Sequence, residues 1–298
     1  MIQFLLTKTE SVNDSIILYG RTAESEAVRA EIVDFEPYFY AATSEVEGRE
    51  KELLRQESIR RIGGEYESLR GVPSTKIYTK DARSIYDAKD LFKQTFEADV
   101  SATNRFRIDY ELFDWIEVPA LRCTPDDVRA IDAPEGVTDP KPRVVTFDIE
   151  TDDRGAFPEN GEKPIISIAA YDSYEQEYYG FFDLDGRSLE SAFGLNAPPE
   201  SLSDIGLTEI DKLVFEPDES RLLLAFADWI KERDPDLITA WNGDGFDFPY
   251  LIQRMQKIGL EPSRLSREGQ AYTKRNGQPV VVGRTFYDSL VVLKANTW

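Results

Sequence analysis

The run VVTFDIETDD, Val144 to Asp153, confines the chain more tightly than any other stretch. Its first residues are β-branched or aromatic and alternate as a strand does, so Val145, Phe147 and Ile149 share one face while Thr146, Asp148 and Glu150 share the other. If the first face is buried against a core, the second carries two carboxylates two residues apart. Such neighbours repel, and at least one takes up a proton unless a cation holds both ionised. Two outcomes are open: a strand end entering solvent, or a site for a divalent cation. Asp152 and Asp153 read as a solvated turn.

Composition narrows what such a cation could be. There is no histidine, and the single cysteine, Cys123, excludes an internal disulfide framework. A metal site would be built from carboxylates, carbonyls and water, which suits hard cations such as magnesium or manganese. With 298 residues, 41% of them hydrophobic, the chain can form one large domain or two ordinary ones with a sizeable core. No apolar run approaches the roughly 18 to 20 residues that span a bilayer, and MIQFLLTKTE lacks the features of a signal peptide, so the expectation is a cytoplasmic protein without a membrane partner.

The net charge of −21 argues at first against a nucleic-acid partner. The acids are spread along the chain, however, and Arg outnumbers Lys. That pattern points to a halophilic protein whose surface repulsion is screened within a few ångströms, or else to an ordinary acidic surface. In the halophilic setting local Arg and Lys could still bind DNA.

The texture changes near residue 135. DAPEGVTDPKPR, Asp132 to Arg143, is rich in Pro, Gly and Asp and has no hydrophobic period, which places a boundary between a first domain, 1–135, and a second, 136–298. Before it, EPYFYAAT, YESLRG, TKIYTK and EADVSA read as strands, with EGREKELLRQESIRRI and ARSIYDAKDLFKQTF as helices between them. This β-α-β-β-α-β order is ferredoxin-like, preceded by the strands FLLTKTE and SIILYGRT. After the boundary, RVVTFDIE, PIISIAAYD and QEYYGFFD are successive strands, followed by a loop-rich insertion from Asp185 to Pro217. DESRLLLAFADWIKERDPD is a helix with Leu222, Leu223, Phe226, Trp229 and Ile230 at helical spacing, LITAW a buried strand, and FDFPYLIQRMQKIG a helix burying Leu251, Ile252, Met255 and Ile258. VVVGRTFYDSLVVL reads as further strand. The fold class is therefore α/β (α+β), and the second domain is expected to be a mixed sheet with helices packed on it, of which the ribonuclease H-like core is one example.

A second acid constellation lies in DPDLITAWNGDGFDFPYL, Asp234 to Leu251. A buried strand enters Asn242-Gly243-Asp244-Gly245, where glycines permit positive φ and close backbone approach, and Asp247 follows in the first turn of a helix. On these residues alone Asp247 serves either the helix dipole or a site, Asn242 is a turn former, and Phe246 and Phe248 pack in the core.

FDIET followed by NGDGFDFPYL, with KERDPDLITAW ahead of it, resembles the first and second exonuclease motifs of the family B DNA polymerases, archaeal type. FEPYFYA and GRTFYDSL resemble further segments of that family in the same order, so the likeness covers nearly the whole chain. It implies a template-binding N-terminal domain followed by a ribonuclease H-like 3′–5′ proofreading exonuclease. It makes Asp148, Glu150 and Asp247 catalytic metal ligands, and Asn242 and Phe246 substrate-positioning residues. The implied chemistry is two-metal phosphodiester hydrolysis with Mg2+ or Mn2+ on DNA, at the primer 3′ end. In archaeal relatives the N-terminal domain carries a uracil-sensing pocket, for which Pro37, Tyr38 and Arg105 are the matching positions; ordinary turn and core packing is the alternative, and is slightly favoured.

The family's third motif, Y-x-x-x-D, has no match after Asp247, since Tyr287 is followed at once by Asp288. Tyr110 to Asp114 and Tyr179 to Asp183 have the spacing but precede the second motif and read as core and strand. No polymerase motif is present. The expectation is a C-terminally incomplete exonuclease domain, truncated before its third motif, from a split or truncated polymerase. A separate chain would carry the remainder, or the fragment would bind single-stranded DNA without catalysis.

Overall fold

The computed structural model describes residues 1–152, 154, 158–194 and 210–295. Asp153, part of the 185–217 insertion and Trp298 lie outside them. The chain divides into two compact units, Met1–Pro140 and Lys141–Trp298.

In the first unit the strands β1 (Ile2–Val12), β2 (Ser15–Arg21), β3 (Ala27–Ile32) and β4 (Tyr38–Ala42) lead into the short helices α1 (Thr43–Val46) and α2 (Glu50–Leu53). Then come β5 (Ile59–Glu67), β6 (Pro73–Thr79), α3 (Ser84–Lys89), β7 (Thr95–Phe96), α4 (Ala102–Asp109), β8 (Trp115–Val118), β9 (Arg122–Cys123) and β10 (Arg129–Ala130). Four strands form a sheet in the order β5-β6-β4-β7 with every pair antiparallel, the arrangement a ferredoxin-like β-α-β-β-α-β chain produces. Phe39, Ala41 and Ile77 point from one face into a core with Leu53, Ile85 and Phe92. The other six strands make a second sheet, β10-β8-β1-β2-β3-β9, of which the sequence pattern announced only the first two strands. EADVSA is not a strand: the pairing segment is Thr95–Phe96, and Ala102 already begins α4.

The second unit runs through β11 (Val144–Thr151), β12 (Ile165–Asp172), β13 (Glu177–Asp183), α5 (Leu189–Phe193), β14 (Lys212–Glu216), α6 (Glu219–Arg233) and β15 (Leu237–Ala240). It continues with α7 (Asp247–Lys257), the hairpin β16 (Ala271–Thr273) and β17 (Pro279–Val281), then β18 (Thr285–Asp288) and α8 (Ser289–Ala295). The sheet order is β14-β13-β12-β11-β15-β18. β11, β12 and β13 are antiparallel neighbours, whereas β15 lies parallel to β11 and β18 parallel to β15. This is the ribonuclease H-like topology, with β14 added at the edge. The described part of the insertion is more regular than its composition implies, holding α5 and β14.

Helix α6 forms where its spacing places it, with Asp218 accepting from the Arg221 N–H at 2.9 Å as N-cap and Leu222, Leu223, Phe226, Trp229 and Ile230 buried against the sheet. Ser289 to Leu293, expected as strand, is helical instead, because Asp288 accepts the N–H groups of Leu290 at 2.8 Å and Val291 at 3.1 Å and so caps α8. Among the described residues no helix is long and apolar enough to cross a membrane.

Candidate nuclease site

The parallel strands β11, β15 and β18 bring their C-terminal ends to one edge of the sheet, where ligands of open α/β sheets commonly bind. On β11 the alternation holds: Val145, Phe147 and Ile149 are buried, and Asp148 and Glu150 are exposed on the opposite face. The turn after β15 delivers Asp247, only 3% exposed, to the same place, and its Oδ1 accepts the backbone N–H of Ile149 at 3.3 Å. The two motifs, 98 residues apart in sequence, thus meet through one hydrogen bond.

The turn works differently from its sequence reading. Neither glycine has positive φ; the left-handed residue is Asn242, at φ 59°. The glycines serve close approach. A Cβ on Gly243 would lie 2.7 Å from the Phe248 ring, and one on Gly245 would lie 2.6 Å from Asn242 Oδ1. The Asn242 carbonyl accepts from Gly245 and Phe246, both at 3.0 Å, which closes the turn and aims Asp247 inward. Phe246 packs on Tyr250 with ring centroids 5.1 Å apart. With Asp244, Pro249, Tyr250 and Gln253 it lines an open cavity of about 650 Å³.

Sequence reasoning set Asp288 and Asp244 aside. Asp288, at the end of β18, is 5% exposed and accepts the Asp244 N–H at 3.0 Å, so it holds the acid-bearing turn in place. Their signal is spatial, since β18 pairs with β15 from a distant segment.

These acids are electrostatically uncompensated: among the described residues none of Asp148, Glu150, Asp244, Asp247 and Asp288 forms an ion pair with Lys or Arg. Burial pushes the Asp247 carboxyl up to about 6, and the charges of Asp148 and Asp288 add to the effect. Desolvation also raises Asp148, and desolvation together with Asp288 raises Asp244. Such a set fits a hard divalent cation, which would supply the missing positive charge. Among the described residues, however, no group of three His, Cys, Asp or Glu is gathered closely enough to hold a metal ion.

The electrostatics give one stability prediction. Because the Asp247 carboxyl is held above its ordinary value, ionising it as pH rises from about 4 to about 6 costs folding free energy. Asp247→Asn keeps an oxygen for the Ile149 N–H and removes that cost. The second unit should be stabilised by about 1–2 kcal/mol at neutral pH without added cation, with the gain vanishing below about pH 4. Thermal melts of both proteins at acid and neutral pH measure it; an equal or lower Tm for the variant at neutral pH would refute it.

Pro37, Tyr38 and Arg105 do come together in the first unit, but in a closed arrangement. All three are buried. The Tyr38 hydroxyl donates to Asp109 Oδ1 at 2.7 Å, and the Arg105 guanidinium lies 4.5 Å from the Tyr38 ring while donating to Glu97 Oε2 at 2.6 Å. The Pro37 carbonyl accepts from Thr79. Arg105 Nε is buried without a hydrogen-bond partner.

Comparison with known proteins gives the family. The family model for "DNA polymerase family B, exonuclease domain" matches residues 93–289. The chain belongs to that family. As a family B exonuclease-domain chain it is 26% identical over 303 residues to the DNA polymerase delta catalytic subunit of Arabidopsis thaliana, covering 83% of this chain and 26% of that protein. It is 25% identical over 294 residues to DNA polymerase 2 of Aeropyrum pernix, covering 92% of this chain and 34% of that protein. The solved family B DNA polymerase of Pyrobaculum calidifontis aligns with 98% of the chain and 37% of its own at a TM-score of 0.71 and 23% identity, a likeness of fold. This family B chain therefore spans about a quarter to a third of the curated relatives it matches. Eukaryotic delta and archaeal polymerases both stand among its relatives.

Proposed function

We propose that this chain provides template DNA binding, in residues 1–135, and a 3′–5′ proofreading exonuclease site, in residues 136–298, for a family B DNA polymerase. The observation that carries the reading is that Asp148 and Glu150 on β11 and Asp247 from a distant motif lie at one sheet edge, and that among the described residues none of them pairs with Lys or Arg. Mg2+ or Mn2+ held by these three carboxylates would supply Lewis-acid activation of water and stabilisation of the leaving 3′ oxygen. The protein's part is placement. Strand β11 fixes Asp148 and Glu150 two residues apart on one face, the Asn242 turn fixes Asp247 against the Ile149 amide, and the cavity beside Phe246 offers an aromatic wall to the terminal nucleotide.

The absence of a tight three-acid group among the described residues favours a second reading, a chain that binds single-stranded DNA without cutting it. One experiment separates the two. The purified chain is incubated with 3′-labelled single-stranded DNA and Mg2+ or Mn2+, from physiological salt to about 2 M KCl, where surface repulsion is screened. Release of labelled mononucleotide that stops with EDTA supports the nuclease. Intact DNA that is nevertheless bound overturns it in favour of the second reading.

A further inference from the structure

One wall of the cavity beside Phe246 is that ring together with helix α7, and another is the segment 158–164, whose Pro158, Glu159 and Asn160 line it. This segment has no helix or strand of its own, yet it is built tightly. Asn160 and Gly161 both have positive φ, 50° and 66°, and the Glu162 N–H reaches the Glu159 carbonyl at 3.0 Å, which closes a reverse turn. A Cβ on Gly161 would lie 2.8 Å from the Arg254 backbone nitrogen, so the turn presses directly on α7 and glycine alone fits there.

Three side chains grip the backbone of this segment. The Tyr250 hydroxyl accepts the Lys163 N–H at 2.9 Å and donates to the Lys163 carbonyl at 2.8 Å. Arg254 donates to the carbonyls of Gly161 at 3.2 Å and Glu162 at 3.3 Å, while its fork holds both carboxylate oxygens of Glu219 at 2.7 and 2.6 Å. Glu219 in turn accepts the Ile165 N–H at 2.7 Å. Tyr250 supports the first wall as well, since its buried ring packs on Phe246. One residue therefore spans both walls. Glu159 and Asn160 stay exposed at the tip of the turn, so the clamp fixes a surface that borders the cavity and not a piece of core.

We propose that Tyr250 and Arg254, with Glu219 behind them, are positioning residues that hold the 158–164 segment at a fixed distance from Phe246, so that the cavity is preformed for one unpaired nucleotide at a DNA 3′ end. A wall fixed before binding needs no ordering when the nucleotide enters, and the cost avoided appears as affinity. The hydroxyl of Tyr250 and the guanidinium of Arg254 act through the backbone they hold. The inference rests on the reading that this cavity receives the terminal nucleotide, but on neither the cation nor hydrolysis.

The test is a titration, in EDTA and with the whole chain, of a single-stranded oligo-dT of roughly 16 nucleotides that carries the fluorescent base 2-aminopurine at its 3′ end. Tyr250→Phe keeps the ring on Phe246 and removes only the hydroxyl. It should weaken binding about fivefold and shrink the fluorescence change at saturation, because the terminal base then meets a loose wall. Arg254→Lys keeps a charge beside Glu219 but loses the fork, and should act in the same direction. With the probe base at the 5′ end, the signal at saturation should be the same for parent and variants. The proposal is overturned if both variants bind and signal like the parent, even where their melting temperatures fall, since that is what a purely structural clamp would do. It is also overturned if the 5′ probe loses its signal equally. A parent chain without a 3′-specific signal overturns the terminal-nucleotide reading and the proposal with it, whereas a normal parent beside unaffected variants overturns the clamp alone.

Discussion

Replacing Asp148 and Glu150 together by alanine is expected to lower metal-dependent digestion at DNA 3′ ends by about a thousandfold or more. A bound cation contributes several kcal/mol of charge stabilisation in phosphoryl chemistry, and about 1.4 kcal/mol corresponds to a factor of ten in rate. Removing two of the three proposed donors would forfeit most of that. Both side chains are exposed on β11, so the fold should be nearly indifferent, with a stability change within about 0.5 kcal/mol. The change should if anything be favourable, since the charge of Asp148 is one of the causes that hold Asp247 up. The measurement is single-turnover digestion of 3′-labelled DNA together with a thermal melt. Unchanged digestion by a folded variant would show that the chemistry resides elsewhere, whereas loss of folding would show that the acids are structural.

That contrast explains what could be read in advance. Period-two alternation in Val144–Thr151 and helical spacing in Glu219–Arg233 are local patterns, and the structure keeps both because each element buries one side only. Helix α4 left no such trace. It is eight residues long, its buried set is Ala102, Arg105 and Phe106, and an arginine on the inner face reads as solvent. Segment Ser289–Ala295 misled through its adjacent valines, whose β propensity yields to the capping carboxylate of Asp288.

The site divides in the same way. Asp148, Glu150 and Asp247 could be named from their motifs, yet nothing in the sequence says that Asp247 meets the Ile149 amide. Asp288 was passed over because a motif search asks for fixed spacing, while its part in the turn depends on strand pairing with β15. Asn242 shows the converse. Glycine is the residue expected at positive φ, but here the asparagine takes that conformation and the glycines make room for Phe248 and for the Asn242 side chain.

The largest expected loss of stability lies at the opposite ends of the strands that carry the acids. Ahead of β15, Asp234 and Asp236 receive two arginines that reach them from the segments before and after the β16–β17 hairpin. Arg267 donates to Asp234 Oδ1 at 2.7 Å, to Asp236 Oδ1 at 3.1 Å and to the Gly283 carbonyl at 3.1 Å. Arg284, 3% exposed, donates to Asp234 Oδ1 at 2.9 Å and to the carbonyls of Pro235 and Leu265. Asp236 also accepts the Arg143 N–H at 2.9 Å just before β11, so one network ties together the starts of β11, β15 and β18. Burial, with the neighbouring charge of Arg267 adding to it, pulls the Arg284 guanidinium down to about 10 even against the opposing pull of Asp234 and Asp236, a sign of how heavily this network is desolvated.

Removing one partner of such a buried set costs more than the set contributes, because the remaining charges stay desolvated. Arg267→Ala should therefore destabilise the second unit by about 3 kcal/mol, a fall of roughly 6–12 °C in its transition for a unit of this size. Arg267→Lys should recover only part, since an ammonium cannot reproduce the fork that serves Asp234, Asp236 and Gly283 at once. Calorimetry of the whole chain resolves the question. If the second unit's transition moves by less than about 2 °C, the network is dispensable; if it falls as expected, digestion at low temperature should survive while heat inactivation comes earlier, because the acids themselves are untouched.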